Sequence, residues 1–320
     1  MRILVTGAAG MVGRKLVARL ASQGTLRGHG IAALDLHDIV APEAPAMAGA
    51  SVTTHTGDLA DAGAADALLA QRPDVIFHLA GIVSGEAEQN FDLGYRVNLD
   101  GTRALFDAVR KAGHRPRVVF TSSIAVFGAP FPDVITDDFH QTPLTSYGTQ
   151  KLMSELLLAD YTRRGFLDGI GIRLPTICVR PGKPNKAASG FFSNIIREPL
   201  NGEEAVLPVP RSVAHTHASP RSAVGFLLHA AEIDGERVGP RRNLSMPGVG
   251  VTVGEQIEAL ERIAGAKTVR LIREEPDEAI WAIVKGWPTR FEARRARELG
   301  FTAETDFDQI IRAHIEDELS

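Results

Sequence analysis

The chain has 320 residues, enough for one large domain or two closely associated ones. Its composition is that of an ordinary globular protein, 44% hydrophobic and 23% charged, with a formal net charge of −4. That balance gives nucleic acid and anionic membrane surfaces nothing to bind, no apolar run approaches the roughly 18–20 residues that span a bilayer, and a lone cysteine excludes an intrachain disulfide. Cys178 reads as a small core residue. A single thiol and an opening strand without a leader point to the cytoplasm.

Arg2–Thr6 reads as a short buried strand, followed by Gly7, Gly10 and Gly13 and then a helical pattern over Arg14–Ser22. Strand, glycine-rich turn and helix form a dinucleotide cradle. Gly7 permits the tight turn, Gly10 lets a pyrophosphate approach the backbone, and Gly13 lets helix and strand pack closely. The helix N-terminus supplies unpaired N–H groups and a positive dipole end. Gly30–Asp35 is a second strand, and Asp35 at its end suits the ribose hydroxyls of NAD while repelling the 2′-phosphate of NADP.

Ser51–His55 is a third strand and Ala62–Gln71 a helix ending near Pro73. Asp74–Leu79 is a fourth strand, too apolar for an exposed edge, with His78 an interior residue. Phe91–Ala112 is a long helix stopped by Gly113, and Arg117–Thr121 a fifth strand. A helix then runs from Tyr147 to about Arg164, capped by Thr145 or Ser146, and Ile170–Leu174 is a sixth strand. Residues four apart share a helix face, so Tyr147 and Lys151 point the same way. A cation beside a phenol lowers its pKa from about 10 and makes a base able to take a hydroxyl proton.

Alternating strands and helices predict an α/β fold, a doubly wound parallel sheet of Rossmann type with its ligand crevice at the strand C-termini. After Pro175 prolines break the pattern, and Ala214–Ala231 reads as a return to the sheet and a helix. Arg242–Met246 and Thr268–Ile272 read as short strands, with helices near Gly254–Ala264, Arg290–Leu299 and Asp306–Glu318. The expected division is residues 1–174 as the dinucleotide-binding domain, completed by about 214–232. Residues 175–213 and 233–320 form a smaller substrate-binding lobe. His215 and His217 share a strand face but lack a third ligand at zinc-like spacing, so no metal is expected.

The ordered set Thr6-Gly-Ala-Ala-Gly-Met-Val-Gly13, Gly57-Asp-Leu59, His78-Leu-Ala-Gly81, Val97-Asn-Leu-Asp-Gly-Thr102, Thr121-Ser-Ser-Ile-Ala-Val-Phe-Gly128 and Tyr147-x-x-x-Lys151 resembles the extended short-chain dehydrogenase/reductase family. That family includes the nucleotide-sugar epimerases and dehydratases. The resemblance implies NAD and a catalytic set of Ser123, Tyr147 and Lys151, with Ser122 the neighbouring candidate for the hydroxyl. It places Gly7, Gly10, Met11, Val12, Gly13, Asp58, Leu59, Leu79, Ala80, Gly81, Asn98 and Pro175 around the cofactor. The stretch from Gly171 to Phe192 is similar to a branch that oxidises the C2 hydroxyl of a four-carbon sugar acid.

Basic residues follow the sixth strand, where a carboxylate wants a guanidinium or a cluster of donors. Arg180 and Lys183, with Ser84, Thr176, Arg211 and His217, are the expected contacts to a small sugar-acid substrate. A nucleotide-sugar epimerase is the alternative. Phe127 in place of that group's usual tyrosine and Arg173-Leu-Pro-Thr176 in place of Arg-x-x-Asn count against it. A non-catalytic NAD sensor would not need the base at Tyr147. The resemblance further implies a homodimer that pairs the helices of Asn98 and Tyr147.

Overall fold

The computed structural model describes residues 1–182 and 188–319. Seven strands form the main sheet: β1 (Arg2–Thr6), β2 (Ala33–Asp38), β3 (Ser51–Thr56), β4 (Val75–His78), β5 (Arg117–Ser123), β6 (Asp168–Leu174) and β7 (Asn243–Ser245). Their order is β7-β6-β5-β4-β1-β2-β3, and the pairs from β5 through β3 are parallel. The order reverses between β1 and β4, which opens a crevice at the C-terminal ends of those two strands.

The central strands are apolar because both faces are covered by helices. Leu4, Ile76, Val118 and Phe120 pack with Leu105, Phe106 and Val109 of helix α2 (Gly101–Ala112) and with Leu158 of helix α3 (Ser146–Arg163). Helix α1 (Met11–Gln23) follows the glycine turn and ends on Gly24, whose left-handed backbone closes the last turn.

The chain divides into two compact units. The first holds residues 1–126, 145–173 and 224–244, and the second residues 127–144, 174–223 and 245–320. The boundaries differ from the sequence expectation at three places: residues 127–144 and 214–223 fall in the second unit and residues 233–244 in the first. The strand at Ala214–Ala218 pairs with Thr176–Ile177 and Val249–Thr252 in a separate three-stranded sheet. The seventh strand of the main sheet is β7, far later in the chain. Short apolar strands look alike in sequence, and only pairing decides which sheet takes them.

The second unit has its own core, built on Phe192, Ile195, Ile196, Leu207, Val253, Ile257, Leu260, Phe307 and Ile310. The helix Phe191–Leu200 supplies three of these and carries Pro199 in its last turn. The helix Val253–Ala264 begins with a capping box of Thr252 and Glu255. Cys178 is buried, donates to the Phe192 carbonyl at 3.3 Å, and has its thiol pushed up to about 12 by burial.

Candidate active site

The glycine turn is a cradle that side chains would fill. Gly7 has φ +76°, and a Cβ there would lie 2.6 Å from the Ala80 nitrogen and the Leu79 carbonyl carbon. A Cβ on Gly13 would lie 2.1 Å from the Gly7 carbonyl oxygen. Gly10 begins α1 with no side chain capping it, so the first N–H groups, those of Met11 and Val12 among them, face the turn. Leu79 donates its N–H to Thr6 O at 3.0 Å, which sets Leu79 and Ala80 beside Gly7 at the crevice.

The acid at the end of the second strand is not the one the sequence suggested. The strand runs on to Asp38, so Asp35 is mid-strand, in register with Leu4 and Thr53. Asp35 is 6% exposed and meets His55 Nε2 at 3.4 Å. Asp38 instead reaches the glycine turn and accepts the Ala9 N–H at 2.9 Å. Asp58 is held by Arg96 at 2.8 Å and accepts the Ala60 N–H, with Leu59 buried behind it.

Around Asn98 the long helix expected from Phe91 opens into a π-turn, Tyr95–Asp100. Such turns recur at functional sites. Asn98 Oδ1 accepts the Ile82 N–H at 2.9 Å, and its Nδ2 donates to Gln150 Oε1 at 2.8 Å. A Cβ on Gly81 would lie 2.8 Å from Asn98 Oδ1 and 3.4 Å from Lys151 Nζ, so the backbone here must come close to both. Buried His78 joins this network to β1. Thr102 gives its proton to the Asn98 carbonyl, so His78 Nε2–H donates to Thr102 at 2.9 Å and Nδ1 accepts from Thr6 at 2.7 Å. Burial, reinforced by Lys151, pushes the imidazole down to about 3 and keeps it neutral.

Thr145 caps α3 by accepting the Gly148 N–H at 3.1 Å, which starts the helix just ahead of half-buried Tyr147. Lys151 Nζ lies 5.7 Å from the Tyr147 ring centroid and 5.0 Å from that of Phe120. It donates to the Thr121 carbonyl at 2.9 Å. An ammonium has three donors, and that carbonyl is its one acceptor among the described residues. Burial pushes Lys151 down to about 8, against an upward pull from Glu155. The underused ammonium and the glycine cradle both suit a dinucleotide.

Alternation along β5 separates the two serines. Ser123 Oγ accepts the Ala125 N–H at 3.1 Å at the strand end, on the same face as Thr121. Ser122 is buried and donates to Glu155 Oε1 at 2.5 Å, so its hydroxyl is committed to the interior. Ser84 opens the short helix Ser84–Gln89.

The expected substrate contacts of the second unit separate in kind. Thr176 Oγ1 meets His215 Nε2 at 2.8 Å, and His215 Nδ1 donates to the Pro288 carbonyl at 3.0 Å. His217 is fully buried against Phe192 and Phe307, with Gln256 Nε2 at 2.8 Å, so it is an interior residue rather than a substrate ligand. Arg180 donates to the Ile177 carbonyl at 3.0 Å and to Ser189 at 3.1 Å. Arg211 is in an exposed ion pair with Glu274 at 2.7 Å. Pro175 is buried, and Lys183 lies outside the described residues. Sequence reasoning misses Asp38, Glu155 and Gln150. The acid closing Leu-His-Asp38 is the available signal for the first.

Relatives give this geometry its family. The chain is 47% identical over 321 residues to a D-erythronate dehydrogenase of Cupriavidus necator, covering 99% of this chain and 98% of that protein. It is 41% identical to a D-erythronate dehydrogenase of Haemophilus influenzae over 99% of both. A crystal structure described as a nucleoside-diphosphate-sugar epimerase from Agrobacterium tumefaciens superposes with a TM-score of 0.98 at 66% identity, covering 100% of this chain and 94% of that one. Among the described residues no helix is long and apolar enough to cross a membrane. The model of the NAD dependent epimerase/dehydratase family matches residues 3–215, and the chain, an oxidoreductase that uses NAD, belongs to that family.

Proposed function

We propose that this enzyme oxidises the C2 hydroxyl of a small sugar acid, D-erythronate, to the 2-oxo acid. The observation that carries the reading is the buried Lys151 beside Tyr147 and the end of β5, in a chain similar over its whole length to two D-erythronate dehydrogenases.

Tyr147 takes the hydroxyl proton as phenolate. Lys151 stabilises that phenolate and offers its remaining donors to the nicotinamide ribose. Ser123 donates to the substrate oxygen and holds it against the phenol. Asp38 accepts from the adenine ribose hydroxyls, the role expected of Asp35 from the sequence. Gly7, Gly10 and Gly13 leave room for the pyrophosphate at the start of α1. Bound NAD supplies the acceptor for the hydride that leaves C2.

A second reading follows from the description of the structure from Agrobacterium tumefaciens. An epimerase would retain its NAD and return the hydride, giving no net NADH. Incubating the enzyme with NAD and either D-erythronate or UDP-glucose separates the two. NADH accumulating with the acid alone supports the dehydrogenase. Turnover of the nucleotide sugar without NADH would favour the epimerase.

The homodimer is part of the proposal. Leu156 of α3 is 63% exposed and Phe91, at the start of the Asn98 helix, is 57% exposed, which leaves apolar surface on the two helices that would pair.

A further inference from the structure

Glu155 lies one helical turn after Lys151, on the same face of α3, and is 1% exposed. Two strands saturate its carboxylate. Ser122 of β5 donates at 2.5 Å, and Arg173 of β6 donates through Nε at 2.9 Å and Nη2 at 2.7 Å. The Glu155 carbonyl accepts from Asn243 of β7 at 3.2 Å. One residue therefore ties α3 to three strands, and one of those ties sits next to Ser123.

Stability alone is a poor reason for such a pair. Desolvating two charges cancels most of their attraction, and apolar replacements often serve as well. The surroundings of Lys151 give a better reason. Its ammonium faces the Thr121 carbonyl, the rings of Phe120 and Tyr147, and His78, which burial keeps neutral. None of these is a carboxylate. Burial presses Lys151 toward its neutral form, and Glu155 opposes that.

We infer that Glu155 is a positioning residue for the proposed reaction: fixed by Arg173, its carboxylate keeps Lys151 an ammonium and, through Ser122, holds Ser123 in register with Tyr147. It touches neither substrate nor cofactor and acts through Lys151. The inference rests on the proposed roles of Tyr147 and Lys151.

The test compares Glu155→Gln, which removes the charge and keeps the shape, with the double variant Glu155→Gln/Arg173→Met, which removes the Arg173 cation along with the Glu155 anion. Lysine labelled with carbon-13 at Cε reports the ionisation of Lys151 by NMR, its signal assigned through Lys151→Arg. In Glu155→Gln Lys151 should lose its proton about one pH unit or more lower than in the parent, and in the double variant the shift should be smaller, because the Arg173 cation leaves with the anion. The alkaline limb of kcat/KM should move by the same amount in each. A purely structural role predicts otherwise: the single variant loses stability, the double variant regains it, and neither titration moves. Parental titration of Lys151 in folded Glu155→Gln overturns the inference. If Tyr147→Phe and Lys151→Met instead remain active, the catalytic reading fails, and the NMR titration still judges the hold of Glu155 on Lys151.

Discussion

Lys151→Met in the nucleotide-free protein should change the pH dependence of stability by an amount the structure sets. The ammonium is 4% exposed and its pKa falls from the ordinary 10.5 to about 8, mainly through burial. Below pH 8 both folded and unfolded chains hold the proton, and the folded state bears the full cost of a buried charge. Between about 8 and 10.5 the folded state has released the proton and the unfolded state has not, so stability rises with pH. From pH 7 to pH 10 that gain is about 2–3 kcal/mol for the parent and absent in the variant. At pH 7 methionine removes the buried charge but leaves the Thr121 carbonyl without its donor, a loss of about 1–3 kcal/mol that offsets much of the benefit. The informative quantity is therefore the difference between the two proteins as a function of pH, in which other titrating groups cancel. Urea unfolding followed by circular dichroism at several pH values measures it. Parallel curves for parent and variant would refute the claim that Lys151 is held charged against its burial.

Tyr147→Phe should lower kcat by about a hundredfold or more while NAD binding, followed by calorimetry, stays within a few-fold of the parent; retained activity would assign the base elsewhere. Asp38→Ala should weaken NAD and narrow its advantage over NADP, because the acceptor at the glycine turn and its repulsive charge vanish together. Asp35→Ala should leave that ratio of specificity constants unchanged and instead lower stability, since it strips a buried partner from His55. Leu156→Glu should convert a dimer to a monomer in light scattering after gel filtration, as a charge enters an apolar helix pairing; a parental mass would remove α3 from the interface.

The parts of the site that follow from local spacing are legible in the sequence. Gly7, Gly10 and Gly13 announce themselves because helix and strand need the missing Cβ atoms, and Tyr147 and Lys151 because one helical turn separates them. What depends on strand register is less legible. Asp35 and Asp38 are three apart with no Gly or Pro between them to mark the strand's end, so sequence alone ends the strand three residues too early. Ser122 and Ser123 are chemically alike, and only the alternation of β5 sends one into the core. Pairings distant in sequence leave no local trace. The bridge from Glu155 to Arg173 crosses from helix to strand, and the Ala214–Ala218 strand joins the small sheet through partners on either side of it. The helix Phe191–Leu200 is hidden because Pro199 and its neighbours read as breaks, although a proline in the last turn leaves the earlier hydrogen bonds intact.

The central claim is net hydride removal from a small sugar acid, and NADH absorbance with purified enzyme tests it most directly. With excess NAD, D-erythronate should drive steady NADH formation over many turnovers, its kcat falling to background in Tyr147→Phe. Absence of NADH from D-erythronate and other four- to six-carbon sugar acids, with UDP-glucose converted by enzyme that retains its NAD, would contradict the account of the substrate while leaving the dinucleotide cradle in place.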